Sequence, residues 1–192
     1  MDRVRYGLAL LLLMMMPGAL LYWFSIHPFV RFWRGVGVRA TVTIHHIMIA
    51  AVGCGMYLLR GRLLSVEYGT SPLLMAISVP ALMVSLVMGR ALGRQLNIGI
   101  KTGLPELASE PGSQRLLCEG IYARIRHPRY LECFISLIFC ALFTNYLASY
   151  VMLATSVPVL LAIIHIEERE LRDRFGEEYV RYCALVPRFW PW

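Results

Sequence analysis

The chain has 192 residues, with 19 Lys+Arg against 12 Asp+Glu and a formal net charge of +7. Apolar residues make up 58% and charged residues 16%, against about 45–50% and about 25% in soluble domains, and mean hydropathy is +0.59. This balance excludes a disordered tail, argues against a soluble globular domain and leaves too few cations for a nucleic-acid binder; the length predicts one domain, with a bilayer as its main solvent.

A hydrocarbon core about 30 Å thick needs roughly 20 mostly apolar residues as a helix. Gly7 to Ile26 is the first such stretch and carries no charge. Arg3 and Arg5 precede it as they would a signal peptide, but no small-x-small cleavage site follows. The run ends instead in the interfacial aromatic cluster Leu21-Tyr22-Trp23-Phe24, so it reads as a span. The second stretch, Ala40 to Leu59, has His45 and His46 as its only strongly polar members. Adjacent residues point about 100° apart on a helix and cannot chelate together, so polar packing is expected of them. Pro72 to Gly89 is the third. From Leu131 to Ile166 the chain stays apolar for 36 residues, apart from Glu132 and His165 at the ends. One helix of that length would be about 54 Å long, too long for a single crossing. Thr144-Asn145-Tyr146 breaks the run near its middle and predicts a tight helical hairpin. The expected fold is therefore all-α: an integral membrane bundle of about five transmembrane helices, with a C-terminal hairpin and tail helices.

Five spans put the loop His27–Arg39, the long loop Arg90–Tyr130 and the tail after Glu167 on one face, which then holds 15 of the 19 basic residues. The positive-inside rule places that face in the cytoplasm and the N-terminus outside. Cys54, Cys118, Cys133, Cys140 and Cys183 show no CxxC or other ligand spacing, so neither a disulfide framework nor a metal site is expected.

Polar residues concentrate at both feet of the predicted hairpin. Before it comes Gly120-Ile121-Tyr122-Ala123-Arg124-Ile125-Arg126-His127-Pro128-Arg129-Tyr130; after it comes His165-Ile166-Glu167-Glu168-Arg169-Glu170-Leu171. Pro128 suits the first turn of a helix, whose free N–H groups suit an anion. Carboxylates at a helix C-terminus oppose the macrodipole, so the helix is expected to run past Glu167 and Glu168. Glu168–Arg172 and Glu170–Arg174 would support it as i, i+4 pairs. Gly176 is the expected stop, and a short final helix should end at Pro187. Arg169, Glu170, Arg172 and Asp173 read as a solvated helix face. Glu167 differs, because it lies nearest the apolar section, where an unpaired carboxylate is costly.

With these elements in order, Gly120-x-Tyr122, RHPRY (Arg126–Tyr130), a hairpin, Glu167-Glu168-x-x-Leu171, FGEEY (Phe175–Tyr179) and VPRFWP (Val186–Pro191), the sequence resembles the membrane methyltransferases that include isoprenylcysteine carboxyl methyltransferase and phospholipid methyltransferase. The likeness covers roughly residues 90 to 192. It implies an S-adenosylmethionine (AdoMet) site, with Tyr122, His127, Pro128, Arg129, Tyr130 and Glu167 on cofactor-contacting positions. Leu116 and Leu117 would cover the same cofactor. Glu167, Glu168 and Arg126 are the residues implied in catalysis, with Arg126 or Arg129 on the cofactor's carboxylate. An amine acceptor would give up its proton to Glu168 or His165. In the isoprenylcysteine branch an arginine that meets substrate precedes the first glutamate by four residues; here Ile163 stands there. The acceptor is expected to be lipophilic or amphiphilic, a prenylcysteine-type carboxylate or a lipid amine, reached from the bilayer. Residues 1–89 would form the acceptor side and 90–192 the cofactor-binding part of a single membrane domain.

Two other readings compete. An NADPH-dependent sterol-reductase-like enzyme shares the RHPxY element and a Tyr-Cys pair before Val-Pro, echoed by Tyr182-Cys183 and Val186-Pro187, but usually has an Arg-Asp-Glu sequence where this chain has Ile166-Glu167-Glu168. A non-catalytic membrane scaffold would bind no cofactor at all.

Overall fold

The computed structural model describes residues 1–26, 28–95 and 115–190. The helices in chain order are α1 (Asp2–Ile26), α2 (Val30–Val36), α3 (Val38–Leu58), α4 (Arg60–Leu63), α5 (Pro72–Gln95), a 3₁₀ turn (Gly120–Ala123), α6 (Pro128–Thr144), α7 (Leu147–Phe175) and α8 (Glu177–Leu185). An isolated antiparallel bridge pairs Glu67 with Tyr146. A helix satisfies its own backbone, which is why uninterrupted apolar runs adopt it in a bilayer. The middle of the long loop and the final Pro191 of VPRFWP lie outside the described residues.

Among the described residues four helices, α1, α3, α5 and α7, are long and apolar enough to cross a membrane. The fifth expected span is shorter. Pro128 opens α6 and Asn145, at φ 57°, closes it in the left-handed region, leaving 17 residues or about 26 Å. The apolar run from Leu131 to Ile166 does divide at Asn145-Tyr146. The second arm, α7, continues past Glu167 and Glu168 to Phe175, and Gly176 (φ 52°) ends it. Its overhang carries the hairpin's second foot beyond the apolar section.

Small residues let α1 and α3 approach closely, as expected where no hydrophobic force draws membrane helices together. A Cβ on Gly18 would lie 3.1 Å from Ile49 Cα, and one on Gly53 would lie 3.1 Å from the Met14 carbonyl oxygen. His45 is buried in the same interface. Its Nε2 lies 3.0 Å from Ser25 Oγ and its Nδ1 lies 2.7 Å from the Thr41 carbonyl. The Tyr22 and Trp33 rings flank it edge-on, so packing is its role here. On the other side of the bundle, Ser85 of α5 donates to Glu132 Oε1 at 2.8 Å and meets Ser136 Oγ at 2.7 Å, joining α5 to α6. The main apolar cluster, Leu20, Tyr130, Leu160, Ile163 and Ile164, is shared by α1, α6 and α7.

At the tip of the hairpin Arg5 is fully buried. Its Nε and Nη2 donate to the Thr144 carbonyl at 3.0 and 2.8 Å, and its Nη1 meets Glu67 Oε1 at 2.7 Å and Thr70 Oγ1 at 2.7 Å. Tyr68 N–H donates to the Asn145 carbonyl and Leu147 N–H to the Val66 carbonyl, so the 66–70 segment closes over the turn. Arg5→Ala should leave the Thr144 carbonyl and Glu67 short of a donor and cost about 2 kcal/mol, the scale of hydrogen bonds to a charged group. Thermal unfolding in detergent should show a clear fall for Arg5→Ala, whereas Arg3→Ala, at an exposed position, should unfold like the parent.

Candidate functional site

The opposite end of the bundle is organised by the chain segment leading into α6. Residues 126 and 127 pair with the tail through their backbone: Arg126 N–H donates to the Pro187 carbonyl at 2.9 Å and His127 N–H to the Arg188 carbonyl at 3.1 Å. Pro187 cannot continue α8, so the chain turns there and runs beside the start of α6. Residues far apart in sequence thereby share one small volume.

Glu168 is the centre of that volume, with 2% of its surface exposed. Arg188 grips it with two donors, Nε to Oε1 at 3.0 Å and Nη2 to Oε2 at 2.6 Å. His127 Nε2 lies 3.1 Å from Oε1, and Arg126 Nη1 3.3 Å from the same oxygen. Arg126 Nη1 also donates to Cys183 Sγ. The Nε of Arg126 is buried and has no hydrogen-bond acceptor among the described residues.

Glu167 faces a different set of groups, because consecutive helical residues point about 100° apart. Its Oε2 lies 3.7 Å from His127 Nδ1, and its carboxylate is hydrogen-bonded with the Tyr130 hydroxyl. Arg129 Nη2 donates to the same hydroxyl at 3.1 Å. The Arg129 guanidinium sits 3.7 Å from the centre of the Trp23 ring, a cation–π contact worth on the order of 2 kcal/mol when desolvated. That contact fastens the end of α1 to the foot of α6. Tyr122, in the 3₁₀ turn, interacts electrostatically with Arg129. Its carbonyl accepts the Tyr182 hydroxyl at 2.7 Å. Burial pushes the Tyr179 and Tyr182 phenols well above the usual range.

Tyr122, Arg126, His127, Pro128, Arg129, Tyr130, Glu167 and Glu168 are thus gathered at one end of the bundle. The structure places the other expected residues as follows. Glu168, expected as a proton acceptor and as an i, i+4 partner of Arg172, turns inward to Arg126, Arg188 and His127 instead of Arg172. With both oxygens occupied it is a poor base. Leu116 packs against the cluster of Tyr179, Tyr182 and Val186. Leu117 is 39% exposed. His165, the other expected proton acceptor, is exposed. Arg126 is already engaged by Glu168 and Cys183 through Nη1, and its buried Nε has no acceptor among the described residues.

Arg188, Trp23 and Phe189 escaped sequence reasoning as site residues. In the sequence Arg188 counts among the basic residues of the tail, and the VPRFWP motif (Val186–Pro191) is the signal that contains both it and Phe189. Phe189 enters the apolar cluster of α1, α6 and α7, with its ring 6.2 Å from that of His127. Compared with known proteins, the chain matches no family model, no curated protein and no solved structure.

Arg188→Ala should release the tail, since it removes both donors that grip Glu168 from outside. Arg188 itself is 50% exposed, so the loss should be about 1–2 kcal/mol, at the lower end for hydrogen bonds to charged groups. Limited trypsin digestion should cut at Arg181 faster in Arg188→Ala than in the parent. Arg188→Lys, which keeps charge without the planar fork, should fall between the two.

Proposed function

We propose that this protein is an AdoMet-dependent membrane methyltransferase of the isoprenylcysteine carboxyl and phospholipid methyltransferase type. It would act on a lipophilic or amphiphilic acceptor at the membrane–cytoplasm interface. One observation carries the reading: Glu167, at one foot of the hairpin, lies against Tyr130 and His127 at the other. These are the residues on which the resemblance places the cofactor.

The side chains suit that ligand. AdoMet supplies an electrophilic methyl group on a sulfonium cation and also carries an anionic carboxylate. Glu167 offers a carboxylate for the cation, and Tyr122 and Tyr130 offer aromatic faces. Arg126 Nε is a buried donor awaiting an acceptor, and α6 starts without a side-chain cap. Both features fit an anion. The Glu168–Arg188–His127 arrangement fixes the imidazole that borders Glu167, so the site is held before any ligand arrives. Alignment then provides much of the rate in an in-line displacement. A carboxylate or thiolate acceptor gives up no proton; an amine acceptor leaves Glu167, not the occupied Glu168, as the nearest carboxylate.

The apolar cluster beside the site contains Ile163, fully buried, at the position where the isoprenylcysteine branch has an arginine. That favours hydrocarbon rather than a carboxylate at this point of the acceptor. The Arg-rich end of the bundle would face the cytoplasm.

Equilibrium binding of labelled AdoMet to protein in nanodiscs tests the proposal. Glu167→Ala should weaken binding at least tenfold, or about 1.4 kcal/mol. Equal binding by parent and variant would remove Glu167 from the site. Thermal stabilisation by NADPH but not AdoMet would instead select the sterol-reductase-like reading, and stabilisation by neither would select the scaffold.

A further inference from the structure

The overhang of α7 carries the chain out of the apolar section to Phe175. After Gly176, α8 brings it back, and the backbone bonds from Arg126 and His127 to residues 187 and 188 dock it beside the start of α6. Phe189 then enters the cluster of Leu20, Leu160 and Ile163, residues of the apolar parts of α1 and α7. The end of the tail is therefore level with the ends of the spans. At that level it exposes large apolar groups: Leu185 is 83% exposed and Trp190 is 69% exposed. These are among the most exposed apolar side chains of the described residues, and they sit on a polar segment rather than on a span.

Charge is graded in the same direction. Glu177 and Glu178 open α8, the exposed Arg181 stands at its middle, and the half-exposed Arg188, paired with Glu168, follows in the docked tail, with the exposed Arg124 before α6. Exposed apolar tips flanked by cations match an anionic leaflet, in which aromatic rings settle at headgroup depth and basic side chains meet lipid phosphates. We propose that the C-terminal segment from Arg181 to Trp190 docks onto the anionic headgroup layer of the membrane its own helices enter, with Leu185 and Trp190 seated at the headgroup–acyl boundary. The docking closes the tail over Glu168 from outside and does not depend on the methyl-transfer reading.

The test uses the full chain in vesicles of phosphatidylcholine and phosphatidylglycerol with brominated acyl chains. The difference between parent and Trp190→Phe emission isolates the Trp190 signal. That signal should be blue-shifted, quenched by the bromolipid and shielded from aqueous acrylamide. Leu185→Asp, read in a Leu185→Asp, Trp190→Phe pair, should shift it to the red and lose most of the bromolipid quenching. Vesicles of brominated phosphatidylcholine alone should quench it less. A Trp190 signal quenched by acrylamide and untouched by bromolipid would overturn the docking. Equal quenching in both lipid mixtures would overturn its preference for an anionic surface.

Discussion

A carboxylate is buried where a long apolar helix leaves the bundle, and the architecture of that end follows from the need to compensate it. Glu168 has almost no contact with solvent, and an unpaired charge in such a place costs several kcal/mol. Two arginines and an imidazole from two other chain segments meet the requirement: Arg126 and His127 from the approach to α6, and Arg188 from the tail. None of them is a near neighbour of Glu168 in sequence. The tail has to fold back for Arg188 to arrive, and its return delivers Phe189 to the apolar cluster and two backbone acceptors to residues 126 and 127. A single ionic centre therefore orders the hairpin's two feet and the C-terminal segment together.

The neighbouring carboxylates divide the work by geometry alone. A 100° step on α7 turns Glu168 into the cation cluster and Glu167 toward Tyr130 and His127. One is consumed by structure, while the other borders aromatic and imidazole groups. His127 touches both, so the structural clamp sets the orientation of a group that lines the candidate site. Such coupling of a fixed shell to a reacting surface is what precise methyl transfer would require.

The hairpin is held at both ends. Arg5 ties its tip to α1 and to the 66–70 segment, and Arg129 on Trp23 ties its foot to the other end of α1. Helix α1 thus spans the whole length of the α6–α7 pair and contributes Leu20 to their shared cluster. The N-terminal helices, which carry no motif, are attached to the candidate site through α1 and through α5, whose Ser85 bonds Glu132 and Ser136 of α6.

Apolar run length and local breakers were enough to predict a helical membrane bundle, the hairpin at Asn145, the extension of α7 to Gly176 and the short helix after it. Those features depend on interactions within a few turns of helix, so they are written into contiguous sequence. The gathering of RHPRY and Glu167 at one end also followed from the hairpin's connectivity. What the chain order could not reveal was which glutamate is buried, that Arg188 and not Arg172 is its partner, and that Leu116 belongs to the tail's own cluster. Helical phase and the return path of the tail decide those points, and both are set by packing between segments remote in sequence. Electrostatic pairing in a dry interior is a property of three-dimensional proximity, and only the tertiary fold supplies it.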